Sequence, residues 1–299
     1  MGDTDRVHAR FPWSVALSDP NPDIATLSAD QVRGLRLPWT SRYSPETLRA
    51  HLLANPGMSM WVPRTGEYLV TEPWRRRADI AHIAEAHARR GKQALVEATL
   101  DRARENGYRM VLLSDDVWNA SPKLYAGLGL QHIERIVFFQ KDLRASGQQE
   151  VGAQLPAIEV SRAGWRDLDL LLSLDHDSFP WLWWNSRPEF EEYFGMNGVS
   201  IFIARSNSEP VGYASFTLYR GWAHLDRLAV VVAQQGRRLG AAQLAHSLRM
   251  MRELGAASVG LSTQQSNTQS HSLYKRFGFK QTREQMNFYG VNLIRDAEV

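Results

Sequence analysis

No cysteine occurs anywhere in the 299 residues. That excludes a disulfide framework, a thiol nucleophile and a cysteine-based metal site, and it makes stability independent of redox conditions. Long apolar runs are also missing. None reaches the roughly 18 residues of a membrane span, and the opening Met-Gly-Asp-Thr-Asp-Arg lacks the apolar stretch of a signal peptide. A cytoplasmic protein without a membrane partner is the expectation. There is little excess charge of one sign: a net charge of +3, spread along the chain, gives no ground for a nucleic-acid partner. Two phosphate-binding signatures are absent as well. The chain has no G-x-x-x-x-G-K-[ST] loop and no G-x-G-x-x-G after a strand, which argues against a dinucleotide fold. What is present is 43% hydrophobic and 10% aromatic content, that of a globular protein with a sizeable core. The length suits two ordinary domains or one large one.

The most informative stretch is Gln235-Gly-Arg-Arg-Leu-Gly-Ala241. Before it, the apolar, β-branched run Leu228 to Val232 reads as a buried strand. After it, Leu244, Leu248 and Met251 recur at helical spacing, and Leu254-Gly255 supplies a stop. A strand turning through glycines into a helix presents free backbone N–H groups at a positive helix end, a cradle for phosphate. Further on, after the strand-like run Ala257 to Leu261, lies Asn267-Thr-Gln-Ser-His-Ser-Leu-Tyr-Lys-Arg-Phe-Gly-Phe279. Asn267 and Tyr274 are about two helical turns apart and can face one way. Gly278 ends that helix and Phe279 starts the next strand.

This pair of motifs resembles the GNAT superfamily of N-acetyltransferases, which use acetyl-coenzyme A. The family pattern runs strand, Q/R-x-x-G-x-G/A opening a helix, strand, then an Asn-led helix carrying L-Y-x-x-x-G-F. The second motif is matched at Asn267, Leu273, Tyr274, Gly278 and Phe279. The first departs from the pattern at Arg238, where the family usually has glycine. The resemblance covers residues 158–293. It implies that Gln235, Gly236, Arg237, Arg238, Leu239, Gly240 and Ala241 hold the pyrophosphate, and that the splayed backbone of Leu228, Ala229 and Val230 lies along the pantetheine arm. Asn267 is either a cofactor contact or a helix-start residue. Arg276 is either a phosphate contact or ordinary helix-surface charge.

The chain also resembles itself. Arg237-Arg-Leu-Gly-Ala-Ala-Gln-Leu-Ala-His-Ser-Leu248 parallels Arg89-Arg-Gly-Lys-Gln-Ala-Leu-Val-Glu-Ala-Thr-Leu100 at an offset of 148 residues. Glu-x-Gly and a strand ending in Leu-Ser follow in both, and Asn119 to Leu130 echoes Asn267 to Phe279. The expected fold class is therefore α/β (α+β), with two GNAT-like domains in tandem, each a mixed central sheet flanked by helices. The expected boundaries are 1–147 and 155–299, with the polar run Ala145 to Gln154 as linker. In the first half the loop reads His87-Ala-Arg-Arg-Gly-Lys92. Its glycines are displaced where backbone must approach a ligand closely, so the first half is expected to be degenerate. Tyr125 keeps the family tyrosine.

An acetyl transfer to an amine needs a base for the amine, polarisation of the thioester carbonyl, and a proton for the departing thiolate. The resemblance assigns that proton to Tyr274. For the base it points to the strand before the loop, where alternation puts His224, Asp226 and Leu228 on one face. Either Asp226 or His224 could serve. Family members often place an acidic residue there, whereas histidine is the residue type whose unperturbed pKa suits a base near neutrality. Acetyl-coenzyme A enters as co-substrate, and no metal is expected. The aromatic cluster Phe179-Pro-Trp-Leu-Trp-Trp184 is either a wall of the acceptor pocket or a packing plug. Trp74-Arg-Arg-Arg77 reads as a surface strand end. The expected activity is N-acetyl transfer to the primary amine of a small molecule or peptide by a monomer or homodimer. A non-catalytic acyl-coenzyme A-binding sensor or scaffold is the alternative.

Overall fold

A computed structural model describes residues 23–114, 122–144 and 155–294. Asn119 and the expected linker, Ala145 to Gln154, lie outside the described residues. The chain divides into two compact units, residues 1–70 with 85–102, and residues 71–84 with 103–299.

In the first unit, β1 (Ala25–Thr26), β2 (Met60–Val62) and the start of β3 (Glu67–Pro73) pair antiparallel. Helix α1 (Pro45–Ala54) starts where its residues say it should. The Ser44 hydroxyl accepts from the Thr47 N–H, the Thr47 side chain answers the Ser44 N–H, and Pro45 needs no hydrogen bond at the first helical position. Its buried Leu48 and Leu52 pack with Leu27, Val32, Tyr68 and Val70. At about 1.5–3 kcal/mol for each large apolar side chain removed from water, such clusters hold short strands that could not persist alone. β4 (Ile80–His87) and α2 (Lys92–Glu105) contribute residues to both units.

The second unit adds β5 (Met110–Ser114), α3 (Pro122–Gly127), β6 (Gln131–Asp142), β7 (Glu159–Arg162), α4 (Leu168–Ser178) and α5 (Arg187–Gly195). Then come β8 (Val199–Ser206), β9 (Glu209–Tyr219), β10 (Trp222–Val230), α6 (Leu239–Glu253), β11 (Ser258–Gln264), α7 (Thr268–Arg276) and β12 (Lys280–Asn292). Its strands lie in the order β4-β5-β12-β6-β11-β10-β9-β8-β7. The β4/β5 and β10/β11 pairs are parallel and the other described pairs antiparallel, which makes the sheet mixed. Among the described residues no helix is long and apolar enough to cross a membrane.

The succession strand, helix, strand, helix, strand occurs twice, once from β4 to β6 and once from β10 to β12. The last strand of each succession is exchanged. β6 pairs along β11 from Asp142 opposite Ser258 to Ile136 opposite Gln264, and β12 pairs with β5 from Phe288 opposite Ser114 to Asn292 opposite Met110. β6 and β12 also pair with each other.

The helices cover both faces of this sheet. The apolar stripe of α6, with Leu244, Leu248 and Met251, packs against Leu225, Val259 and Leu261. Leu171 and Leu174 of α4 and Phe190 of α5 pack against Ile201, Ile203 and Tyr213. Two details of β10 differ from the sequence reading. First, the strand ends at Val230 rather than Val232, and Val232 is exposed. The Val231 N–H still reaches the Val211 carbonyl, but the next residue along β9 is Pro210, which has no N–H to offer. Second, the ladder with β9 shifts register between Leu225 and Arg227, so Asp226 is the extra residue of a bulge. Ala223 and Leu225 face the α6 side before the bulge. After it Leu228 takes that side, and Ala229 faces α4. His224 and Asp226 therefore do not share a face with Leu228, because strict alternation fails across the inserted residue.

Candidate active site

β10 and β11 pair only from Trp222 opposite Ser258 to Leu225 opposite Leu261. Beyond that point they diverge. A cavity of about 280 Å³ opens in the gap, with Asp226, Leu228, Asn267, Tyr274, Phe138 and Trp183 in its wall. A larger cleft of about 570 Å³ adjoins it and shares Phe179, Trp183, Leu228, Gln264, Asn267 and Ser270.

The larger cleft runs along Leu228, Ala229 and Val230 to the loop before α6. The Gln235 side chain ties the loop back to the strand, donating from Nε2 to the Val230 carbonyl at 3.0 Å. Gly236 (φ 78°) and Arg238 (φ 61°) both adopt left-handed backbone. At Arg238 that conformation costs roughly 1–2 kcal/mol relative to a glycine, so the arginine keeps the glycine's geometry. No side chain caps the N-terminus of α6, and the helix end directs its N–H groups into a cleft lined by Gly236, Arg238, Leu239, Gly240 and Ala241. A Cβ built on Gly240 would stand 3.6 Å from a Val230 methyl and 3.8 Å from a Leu273 methyl, ordinary contacts. The protein's own packing thus does not demand glycine there. Arg237 is exposed and lies outside the lining, whereas the exposed Arg276 is part of it. A positive helix end above a long cleft fits an extended ligand with a pyrophosphate. Among the described residues no group of three metal-binding side chains occurs.

Asn267 occupies the N-cap of α7, its Oδ1 accepting from the Ser270 N–H at 3.1 Å. It is thus a helix-start residue, and it also forms part of both cavity walls. Two turns on, Tyr274 is buried between the rings of Phe139 and Phe279. Burial pushes its phenol up to about 12, against a smaller opposing effect of the Ser270 hydroxyl. The group is a proton donor at neutral pH.

The bulge turns Asp226 into the smaller cavity. One carboxylate oxygen accepts from the Thr217 hydroxyl at 2.7 Å, and the other lies 2.7 Å from His224 Nδ1. Of the two candidate bases, only Asp226 is in the cavity wall. Sequence reasoning missed Thr217, Asp175, Asn185 and the role of Arg75. Trp74-Arg-Arg-Arg77 is not a surface strand end. Trp74–Arg76 form a tight turn between β3 and β4, and Trp74 and Arg75 line the cavity. The turn explains the difference, since Arg75 (φ 52°) takes left-handed backbone that no local pattern announces. The aromatic cluster both packs and lines the cavity. Trp183 packs edge-on against Trp74 and Phe288 and also lines the cavity.

The acetyltransferase (GNAT) family profile matches residues 168–279. An N-alpha-acetyltransferase of Sulfurisphaera tokodaii is 30% identical over 113 residues, covering 33% of this chain and 68% of that protein. Among solved structures, a GCN5-related N-acetyltransferase from Sphaerobacter thermophilus aligns over 86% of this chain and 88% of its own, with TM-score 0.61 and 13% identity. A tandem GNAT protein from the clavulanic acid biosynthesis pathway aligns over 92% of this chain and 99% of its own, with TM-score 0.55 and 16% identity. At such identities the structural likeness shows the fold, and the tandem neighbour accords with the repeated succession of elements. Profile, relative and fold agree: the chain is an acyltransferase of the GNAT acetyltransferase family.

Proposed function

We propose that residues 155–299 bind acetyl-coenzyme A and transfer its acetyl group to a primary amine by direct attack, and that residues 1–147 form a degenerate GNAT-like domain. The observation that carries this reading is the gap between β10 and β11. It brings a buried phenol and a bulged carboxylate to one cavity and continues into a cleft that ends at the uncapped start of α6.

Gly236, Arg238, Leu239, Gly240 and Ala241 would hold the pyrophosphate, with Leu228 to Val230 along the pantetheine arm and Arg276 near the cleft's rim. Asn267 acts by starting the helix that presents Tyr274. Asp226 accepts the amine proton, directly or through water, while Thr217 and His224 hold its two oxygens in place. The nitrogen attacks the thioester carbonyl, the C–S bond breaks, and the Tyr274 hydroxyl donates its proton to the departing sulfur. The products are the N-acetylated amine and free coenzyme A, with no covalent intermediate on the protein. Titration calorimetry with coenzyme A, combined with thiol release in the presence of an amine panel, tests the reading. One site per chain and amine-dependent release are expected. Two equal sites would overturn the assignment of a degenerate first half.

A further inference from the structure

Three consecutive arginines, Arg75, Arg76 and Arg77, follow Trp74. Two of them are matched by carboxylates. Arg76 meets Glu192 through two bonds of 2.7 and 2.9 Å, and Arg77 meets Asp79 through bonds of 3.0 and 2.8 Å. Arg75 is turned into the cavity wall instead. Its Nη1 donates to the Asn185 side-chain carbonyl at 2.6 Å, and its buried Nε has no partner among the described residues. A second guanidinium stands with it. Arg227 lines the same cavity and donates to the same Asn185 oxygen and to the Trp183 carbonyl.

Two cations held on one neutral acceptor repel each other, and burial followed by the nearby Arg227 charge brings the Arg75 guanidinium down to about 10. The local anions do not discharge it by contact. Asp175 is fully buried, 3.8 Å from Arg227, with its oxygens already taken by the Tyr213 hydroxyl and the Asn185 N–H. Glu189 makes no described hydrogen bond to Arg75, and burial raises its carboxyl above the usual range. The turn is also fixed at a cost. Arg75 holds left-handed backbone, and the Ser186 hydroxyl donates to its carbonyl at 2.7 Å. A buried guanidinium edge without an acceptor is costly, and a carboxylate is the partner whose two oxygens match it.

Resting on the acetyl-transfer reading above, we infer that the acceptor is a small amino acid-like zwitterion. Its carboxylate is received by Arg75, with Arg227 as the second positive charge, and its amine is turned towards Asp226. The wall also carries the rings of Trp74, Trp183, Phe138, Phe179 and Phe288, beside polar side chains such as Ser262 and Gln264, and an apolar or aromatic side chain would pack on those rings. Both ends of such a molecule meet the one cavity of about 280 Å³. A polypeptide N-terminus carries no carboxylate beside its amine.

The test uses the full chain, acetyl-coenzyme A, and two probe sets: free apolar and aromatic L-amino acids, and the amides of the same amino acids. Wild type should acetylate at least one free acid with kcat/KM roughly 10²-fold above its amide, the loss expected when a buried donor is left without its charged partner. Arg75→Gln should lower that value mainly through KM and shrink the acid-to-amide preference below about tenfold. Arg76→Gln, in the same turn and outside the cavity wall, should retain the preference. Coenzyme A binding, measured by calorimetry, should be equal in all three proteins. Acetylation of amides as readily as acids, or of peptide N-termini alone, would overturn the inference, as would an unchanged preference in Arg75→Gln. If coenzyme A does not bind at all, the acetyl-transfer reading itself fails.

Discussion

The two halves of the chain build the same strand–turn–helix element and use it differently. Before α6 the helix start lacks a side-chain cap and faces a cleft. Before α2 the same position is filled by the protein. Glu67 accepts from the N–H groups of Arg89 at 2.6 Å, Arg90 at 2.9 Å and Gly91 at 3.1 Å. The fit is tight enough that a Cβ on Gly91 would stand 2.9 Å from Glu67 Oε2. Burial alone would raise the Glu67 carboxyl, but the three N–H groups outweigh it and hold it below the usual carboxylate range. The first-half loop has therefore kept its ability to bind an anion and has found that anion within its own unit. If the first half is degenerate, as proposed above, this carboxylate fills its loop more directly than the loss of glycines does.

The largest effect that can break this comparison concerns the two tyrosines. Tyr274→Phe should lower kcat by roughly 10²–10⁴-fold with coenzyme A affinity unchanged, whereas Tyr125→Phe should leave turnover near wild type. Equal losses in steady-state assays would mean two working sites. With the Tyr274 pKa raised to about 12, the acid stays protonated and gives the rate profile no falling limb below pH 10.

Next in size is the second loop. Gly240→Ala should keep the fold, since the added carbon makes only ordinary contacts. Coenzyme A affinity should nevertheless fall roughly tenfold or more, because overpacking against a ligand costs about 1–3 kcal/mol. Calorimetry with a parallel thermal melt separates the two effects, and an unchanged Kd would remove the loop as cradle.

A smaller effect probes the plug itself. Glu67→Ala should destabilise the protein by about 0.5–2 kcal/mol, the usual loss on removing a helix cap, and should create a weak second site detectable with pyrophosphate or coenzyme A. The native interaction is also pH-dependent. Because the folded carboxyl has the lower pKa, its contribution is present above the unfolded value near 4.5 and is lost as pH falls through the folded value. Denaturant titrations below pH 5 should therefore separate wild type from Glu67→Ala less and less. A constant difference down to pH 2 would contradict the plug. Smallest of all, Arg238→Gly should raise stability by roughly 1 kcal/mol by relieving left-handed strain, with little change in coenzyme A affinity.

Much of this was legible in the chain. Gln235 to Ala241 and Asn267 to Phe279 announced their turns and helices because glycine, capping residues and apolar spacing are local signals, and the internal offset announced the repeat. What stayed hidden depends on distant partners. Asp226 is a candidate base already in the chain, but it enters the cavity through a bulge set by the register with β9, which periodicity within β10 does not announce. Glu67 sits some twenty residues before the N–H groups it meets. Arg75 looked like surface charge because its orientation follows from a strained turn whose anchors, Ser186 and Asn185, come from far along the chain.

The exchange of β6 and β12 bears on how such a chain can change over time. Each half completes the sheet begun by the other, so neither could be deleted without leaving an unpaired strand edge exposed to aggregation. A duplicated unit tied in this way is retained for its architecture alone. On the reading proposed above, its binding loop is then free to drift, and to close on a carboxylate of its own, while the second half carries the chemistry.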